Sequence, residues 1–213
     1  MQLQAVIVPP PSVVQDALAA AHTITLKPGA APEKPGMVQR LLQRQSGRVA
    51  PTDHLAVVAS DAMFIRLAHL GSVTSDDAIR LARALDEPAA AWPAPVVHVA
   101  ELGIELSDTQ MLITARLGGD TDGLRGIFRA FNEAAKAQRF FLDRRSFRPE
   151  FTVASIDLPD DPTFLDRLEW EADTHQGPEW QAMSISMMRV GFGDNARTFD
   201  LFDTVALGGR ADG

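Results

Sequence analysis

Polar and apolar positions alternate most clearly in Phe147-Arg148-Pro149-Glu150-Phe151-Thr152-Val153-Ala154. Pro149 has a fixed φ and no N–H to give to a ladder, so it belongs at the opening of a strand. A period of two then puts Glu150, Thr152 and Ala154 on one face and Phe151, Val153 and Ser155 on the other. Met63 to Gly71 has the same build, with Phe64, Arg66 and Ala68 on one face and Ile65, Leu67 and His69 on the other. Each predicted strand is followed by a turn, an acidic cap and a helical run. Ser75-Asp76-Asp77 precedes Ala78–Leu85, and Leu158-Pro159-Asp160-Asp161-Pro162 precedes Thr163–Glu171. Phe64 and Glu150 match at a separation of 86 residues. The pattern fits an internal duplication, which would set two like strands in two like lobes; two unrelated strand–helix units are the alternative.

The remaining pattern fills in around these strands. Residues 2–8 read as a buried strand, ended by Pro9 to Pro11. Ser12 is placed to cap a helix with Val13, Val14, Ala17, Leu18 and Ala21 on one side. Residues 27–36 read as a loop, and Met37, Val38, Leu41 and Leu42 as one side of a short helix. A strand from His54 to Ser60 turns through Asp61-Ala62 into the Phe64 strand. The helix from Asp76 has the stripe Ala78, Leu81, Ala82 and Leu85, and Pro88 to Pro95 is a loop. Strands at Val96–Leu102 and Thr109–Leu117 are joined through Gly103 and Ser107-Asp108. Asp120 or Thr121 caps the clearest amphipathic helix, with Leu124, Ile127, Phe128, Phe131 and Ala135 in its stripe. Gln181 to Val190 is a strand with Met183, Ile185 and Met187 on one face. A turn at Gly191–Asn195 leads to a last strand around Phe199–Leu207.

Composition narrows the class. The chain has 213 residues, a net charge of −8 and no cysteine, so disulfides, thiol nucleophiles and thiolate metal sites are excluded. No run reaches the roughly 18 apolar residues of a membrane span, and the amino end lacks the basic and apolar regions of a signal peptide. A cytoplasmic location and no membrane partner are expected. Lys27 to Arg48 carries five basic residues against one acidic residue, with Arg40, Arg44 and Arg48 four apart. It is either a phosphate-contacting patch or, more commonly, a solvated helix face. Arg139, Arg144, Arg145 and Arg148 lead into the Glu150 strand, placed to hold a phosphate or to pair with Asp143. Residues 157–181 hold eight acidic residues and one basic, which argues against a surface that wraps nucleic acid. Asp173, His175 and Glu179 are a weak metal-ligand pattern, and His98 reads as structural. There is no Gly-x-Gly-x-x-Gly, Walker loop or Gly-x-Ser-x-Gly, and no cofactor is expected.

With those residues in view, the chain resembles the 2H phosphoesterase superfamily, in particular its 2'-5' RNA ligase and RNA cyclic phosphodiesterase group. That family carries two His-x-Thr/Ser motifs, one on a strand of each lobe. The first is typically followed by a Phe-Leu-Gly-like triplet, which His69-Leu70-Gly71 resembles, and the second is preceded by Arg-Pro, as in Arg148-Pro149. Leu3 to Pro10 resembles the opening strand and proline-led first helix. The resemblance implies an α+β fold: two pseudo-symmetric lobes of antiparallel sheet with flanking helices around a central cleft. It implies one domain, residues 1–213, of two intertwined lobes.

At the motif positions the chain departs from the family. Phe64-Ile65-Arg66 stands at the first motif and Glu150-Phe151-Thr152 at the second, so both histidines are missing and one hydroxyl remains. The family reaction uses one imidazole as base and another as acid, and losing each role costs roughly 10²–10⁴-fold. The reading is therefore a pseudoenzyme. Its cleft residues Phe64, Arg66, Arg148, Glu150 and Thr152 are expected to bind a phosphate, nucleotide or RNA end, with no catalytic residue assigned. Arg66 is expected either to pair with Glu150 across the cleft or to ligate phosphate. The alternatives are an active phosphoesterase of altered mechanism using Glu150, and a structural or oligomerising α+β domain.

Overall fold

The computed structural model describes residues 1–26, 55–58, 62–107, 109–142, 146–158, 164–169, 175–193 and 197–208. The expected helix at residues 37–48, His54, Asp143, Arg144, Arg145 and Asp173 lie outside them.

Strand β1 (Gln2–Ile7) stops where Val8-Pro9-Pro10 cannot continue a ladder, and helix α1 (Pro11–Ala21) begins with proline in its first turn. Pro10, not Ser12, occupies the cap position, and no side chain caps this helix. Proline needs no such cap, because its missing N–H is one of the donors a first turn leaves unpaired. Short strands β2 (Thr25–Leu26) and β3 (Leu55–Val57) precede β4 (Ile65–Ser72). Helix α2 (Ser75–Ala89) then leads to β5 (Val96–Leu106) and β6 (Gln110–Gly119). Helix α3 (Thr121–Ala137) joins β6 to β7 (Glu150–Asp157). After a 3-10 turn at Leu165–Arg167 come β8 (Leu168–Glu169), β9 (Trp180–Gln181), β10 (Ser184–Phe192) and β11 (Arg197–Ala206).

These strands form two larger antiparallel sheets and one small ladder. The first sheet has the order β11-β10-β1-β4, the second β3-β7-β6-β5-β9, and β2 pairs with β8. The helices are exchanged between the sheets. Helix α1 leaves the first sheet and packs on β5 and β7 of the second. Helix α3 connects two strands of the second sheet yet packs on β4 of the first and on α2. The apolar faces of both sheets and of the three described helices meet in one main core, whose largest fully buried side chains include Phe131, Phe151, Leu3 and Ile113. No helix among the described residues is long and apolar enough to cross a membrane.

Several further elements differ from the sequence reading; helix α2 runs through Pro88 to Ala89, where a loop was expected. The run Thr163–Glu171 is not a helix where it is described: it is the 3-10 turn followed by β8. Leu168 and Glu169 are drawn into pairing with Leu26 and Thr25, and tertiary pairing overrides local propensity there. Strand β5 does not stop at Gly103 but runs to Leu106, in register with β6. Met183 lies in the break between β9 and β10 and is exposed, while Ile185 and Met187 are buried as expected.

Helix α2 is capped by Thr74. Its Oγ1 accepts the Asp77 backbone N–H at 3.1 Å, and its hydroxyl donates to Asp77 Oδ2 at 2.8 Å. Thr74→Ala is expected to lower stability by roughly 1 kcal/mol in urea titration, with Thr74→Ser nearly unchanged. Equal midpoints for wild type and the alanine variant would show that this cap does not limit stability.

Candidate functional site

The two sheets face each other across a cleft of about 800 Å³. Phe64, Arg66, Arg148, Glu150 and Thr152 all line it. The register of two bulged strands decides which other side chains join them.

On β4, Val6 is opposite Arg66 and Ala5 is opposite Ala68, so Leu67 is an extra residue. A bulge of this kind inverts the alternation beyond it. His69 is therefore opposite Gln4, on the same face as Arg66, and lines the cleft. The simple alternation had set His69 on the opposite face, and the bulge is the reason it is not there. On β7, Thr152 is opposite Thr114 and Ala154 is opposite Ile113, so Val153 is extra. Ala154 consequently turns into the core with buried Ile113, and Ser155 takes the cleft-side phase opposite Leu112. The bulged residues, Leu67 and Val153, are themselves 86 positions apart. The two lobes thus repeat their strands down to the bulge. They do not repeat the helix that follows, as the β8 pairing shows.

The wall built by the second sheet carries a chain of charges. Arg116 on β6 stands between Glu101 and Glu150. Its Nη1 is 2.9 Å from Glu101 Oε1, and its Nε is 3.9 Å from Glu150 Oε2. Arg148 meets Glu150 Oε1 at 3.5 Å and also donates to Glu105 Oε1. The guanidinium of Arg116 is held above its ordinary pKa chiefly by the hydrogen bond to Glu101. Desolvation works the other way, and the charges of Glu101, Glu150 and Glu105 add to the rise. Gly103 makes this arrangement possible: a Cβ there would stand 2.7 Å from Arg116 Nε. Among the described residues, the ion pairs of Glu150 are to Arg116 on the neighbouring strand and to Arg148 just before β7, and the expected cross-cleft link to Arg66 is not one of them. Three carboxylates against two guanidiniums leave this wall slightly anionic.

The wall built by the first sheet is different. Phe64, just before β4, is 7% exposed and packs with Val6 and Met188. Its ring meets that of Phe199 edge-on, with centroids 5.1 Å apart at 76°. Phenyl at this position has no proton to exchange. Arg66 on β4 and Arg197 on β11 supply the cations of this wall. At the cleft edge Phe128 and Phe147 stack with centroids 5.1 Å apart.

Sequence reasoning missed Gln4, His69 and Arg197 as cleft residues, and Arg116 as a partner of Glu150. Gln4 did carry a signal, since a polar residue inside an otherwise apolar buried strand is uncommon. His175 Nε2 lies 2.7 Å from Asp16 Oδ2 on α1, and the described residues contain no group of three or more side chains that would hold a metal ion.

No family model and no curated protein sequence matches the chain. Solved structures do. TT0787 of Thermus thermophilus is 16% identical with a TM-score of 0.60, over 99% of this chain and 100% of that one. A phosphoesterase structure is 16% identical with a TM-score of 0.61, over 97% and 98%. Apo LigT of E. coli is 14% identical with a TM-score of 0.59, over 97% of each chain. LigT has also been crystallised with 3'-AMP, NADP+, ATP and phosphate. The chain has the α+β fold of these solved structures over nearly its whole length.

Proposed function

We propose that this protein is a non-catalytic member of the LigT-like fold, a single domain of two intertwined lobes whose cleft binds a nucleotide or an RNA end by its phosphate. The observation that carries this reading is the pair of groups at the two motif positions. Phe64 is apolar and packed. Glu150 is held by Arg148 and Arg116, with its side chain only 18% exposed. A general acid and a general base must each reach the reacting atoms with a proton to give or take, and neither position offers an imidazole. Binding by the cleft is supported by the cationic first wall and by the phosphate and nucleotides that LigT takes up in the same fold. Fold likeness carries no chemistry by itself, so the assignment stands on the side chains. The cytoplasm, where nucleotides and RNA ends of this class occur, is the setting this reading expects.

The test is hydrolysis of a 2',3'-cyclic nucleotide and of a short RNA with a cyclic phosphate end, wild type beside Glu150→Ala. Neither protein is expected to turn over either substrate above background. Turnover by wild type that disappears in Glu150→Ala would replace this reading with an enzyme of altered mechanism.

A further inference from the structure

Gln4 is at odds with its surroundings. It sits mid-strand in β1, 2% exposed, and its side-chain Nε2 has no hydrogen-bond partner among the described residues. A buried donor left unpaired is unfavourable, and an apolar side chain of the same size would remove the cost. Gln4 nevertheless lines the cleft.

His69 stands directly across the ladder from it. Opposed residues on neighbouring strands hold their Cβ atoms about 4.5–5.5 Å apart. Gly71, in the left-handed region at φ 70°, turns its N–H back to His69 Nδ1 at 3.2 Å. The neutral ring that accepts this bond carries its proton on Nε2, so that nitrogen is a donor. Gln4 Nε2 is likewise a donor. Two donors on opposed residues of one sheet face, with Arg66 and Arg197 on the same sheet, suit an anionic oxygen. The carboxylates Glu105 and Glu150 lie on the facing sheet and repel such a group towards this one.

We infer that Gln4 Nε2 and His69 Nε2 form an oxyanion subsite that takes a phosphate oxygen of the bound nucleotide. The inference rests on the binding reading above. It moves the phosphate away from positions 64 and 150, to the next pair of cleft-facing residues beyond the Leu67 bulge.

The full chain is titrated calorimetrically with adenosine 3'-monophosphate and with inorganic phosphate, as wild type, Gln4→Met, His69→Ala and His69→Gln. Wild type is expected to bind both probes. Gln4→Met and His69→Ala should each weaken binding roughly 10-fold or more, and His69→Gln, which keeps a donor, should recover part of the loss. Gln4→Met should also raise the Tm of the unliganded protein by roughly 2–8 °C, because it removes an unpaired buried donor at nearly constant volume. An amide kept for structure alone would lower it, and that result overturns the inference. Unchanged Kd in both variants, with wild-type binding intact, removes the subsite and leaves the proposed function standing. No binding of either probe to wild type removes both.

Discussion

Phe64→His, Arg66→Thr and Glu150→His, introduced together, are expected to create cyclic phosphodiesterase activity at least roughly 10²-fold above the wild-type background. The triple variant rebuilds His-x-Thr at the first motif position and, with Thr152 already present, at the second. Each acid or base role is worth about 10²–10⁴-fold, but a proton must be taken and another given in the same turnover. Groups that act as a unit are not additive. Phe64→His alone and Glu150→His alone should therefore gain nothing measurable. The site has room for the change. An imidazole is smaller than the phenyl it replaces beside Val6, Met188 and Phe199. Removing the Glu150 carboxylate leaves Arg116 paired with Glu101 and Arg148 with Glu105. Release of the monophosphate from a 2',3'-cyclic nucleotide, followed by ³¹P NMR, reads the outcome. A folded triple variant that still binds adenosine 3'-monophosphate and shows no gain would mean that the missing imidazoles are not what separates this chain from an active enzyme.

Much of the fold was legible because amphipathic periodicity follows from burial. The stripe from Leu124 to Ala135 is buried along α3 apart from a half-exposed Phe128, and β1 lies between two strands as a buried strand should. The five residues assigned to the cleft do line it. Phase was lost at single inserted residues. Counting by twos along β4 and β7 is right up to Leu67 and Val153 and inverted just beyond them, on β4 as far as a second register shift at Leu70, which misplaced His69 and Ala154. The sequence does carry a mark of each bulge. Arg66-Leu67-Ala68-His69 and Thr152-Val153-Ala154-Ser155 both read polar, apolar, apolar, polar. A polar residue three positions after another cannot share its face on a regular strand, and an extra residue between them lets it. What no local pattern could show is the pairing of Leu168 and Glu169 with a strand about 140 residues earlier, since non-local pairing is settled by the sheet rather than by the segment. The ion chain through Arg116 was hidden for a related reason: its members come from β5, β6 and β7, and only their register brings them together.

Phe131→Ala should cost roughly 3–5 kcal/mol of stability, the largest loss expected from a single truncation here. Phe131 is fully buried on α3. That helix belongs by connection to the second sheet and by packing to β4 of the first. A cavity at Phe131 therefore loosens the tie between the lobes as well as the local core. Urea unfolding followed by far-UV circular dichroism and by tryptophan fluorescence measures it, with Phe141→Ala as the comparison. Phe141 is 96% exposed, so its truncation should change stability by less than about 0.5 kcal/mol. Because most buried residues of both sheets belong to one cluster, wild type and Phe131→Ala should each unfold in one transition, coincident by both probes. Two separated transitions would mean that the lobes are independent domains and that the exchanged helices do not couple them. A single transition shifted by the expected amount would mean that the cleft walls are held in register by one core. His69 on β4 and Glu150 on β7 could then face the same ligand without a separate device to align them.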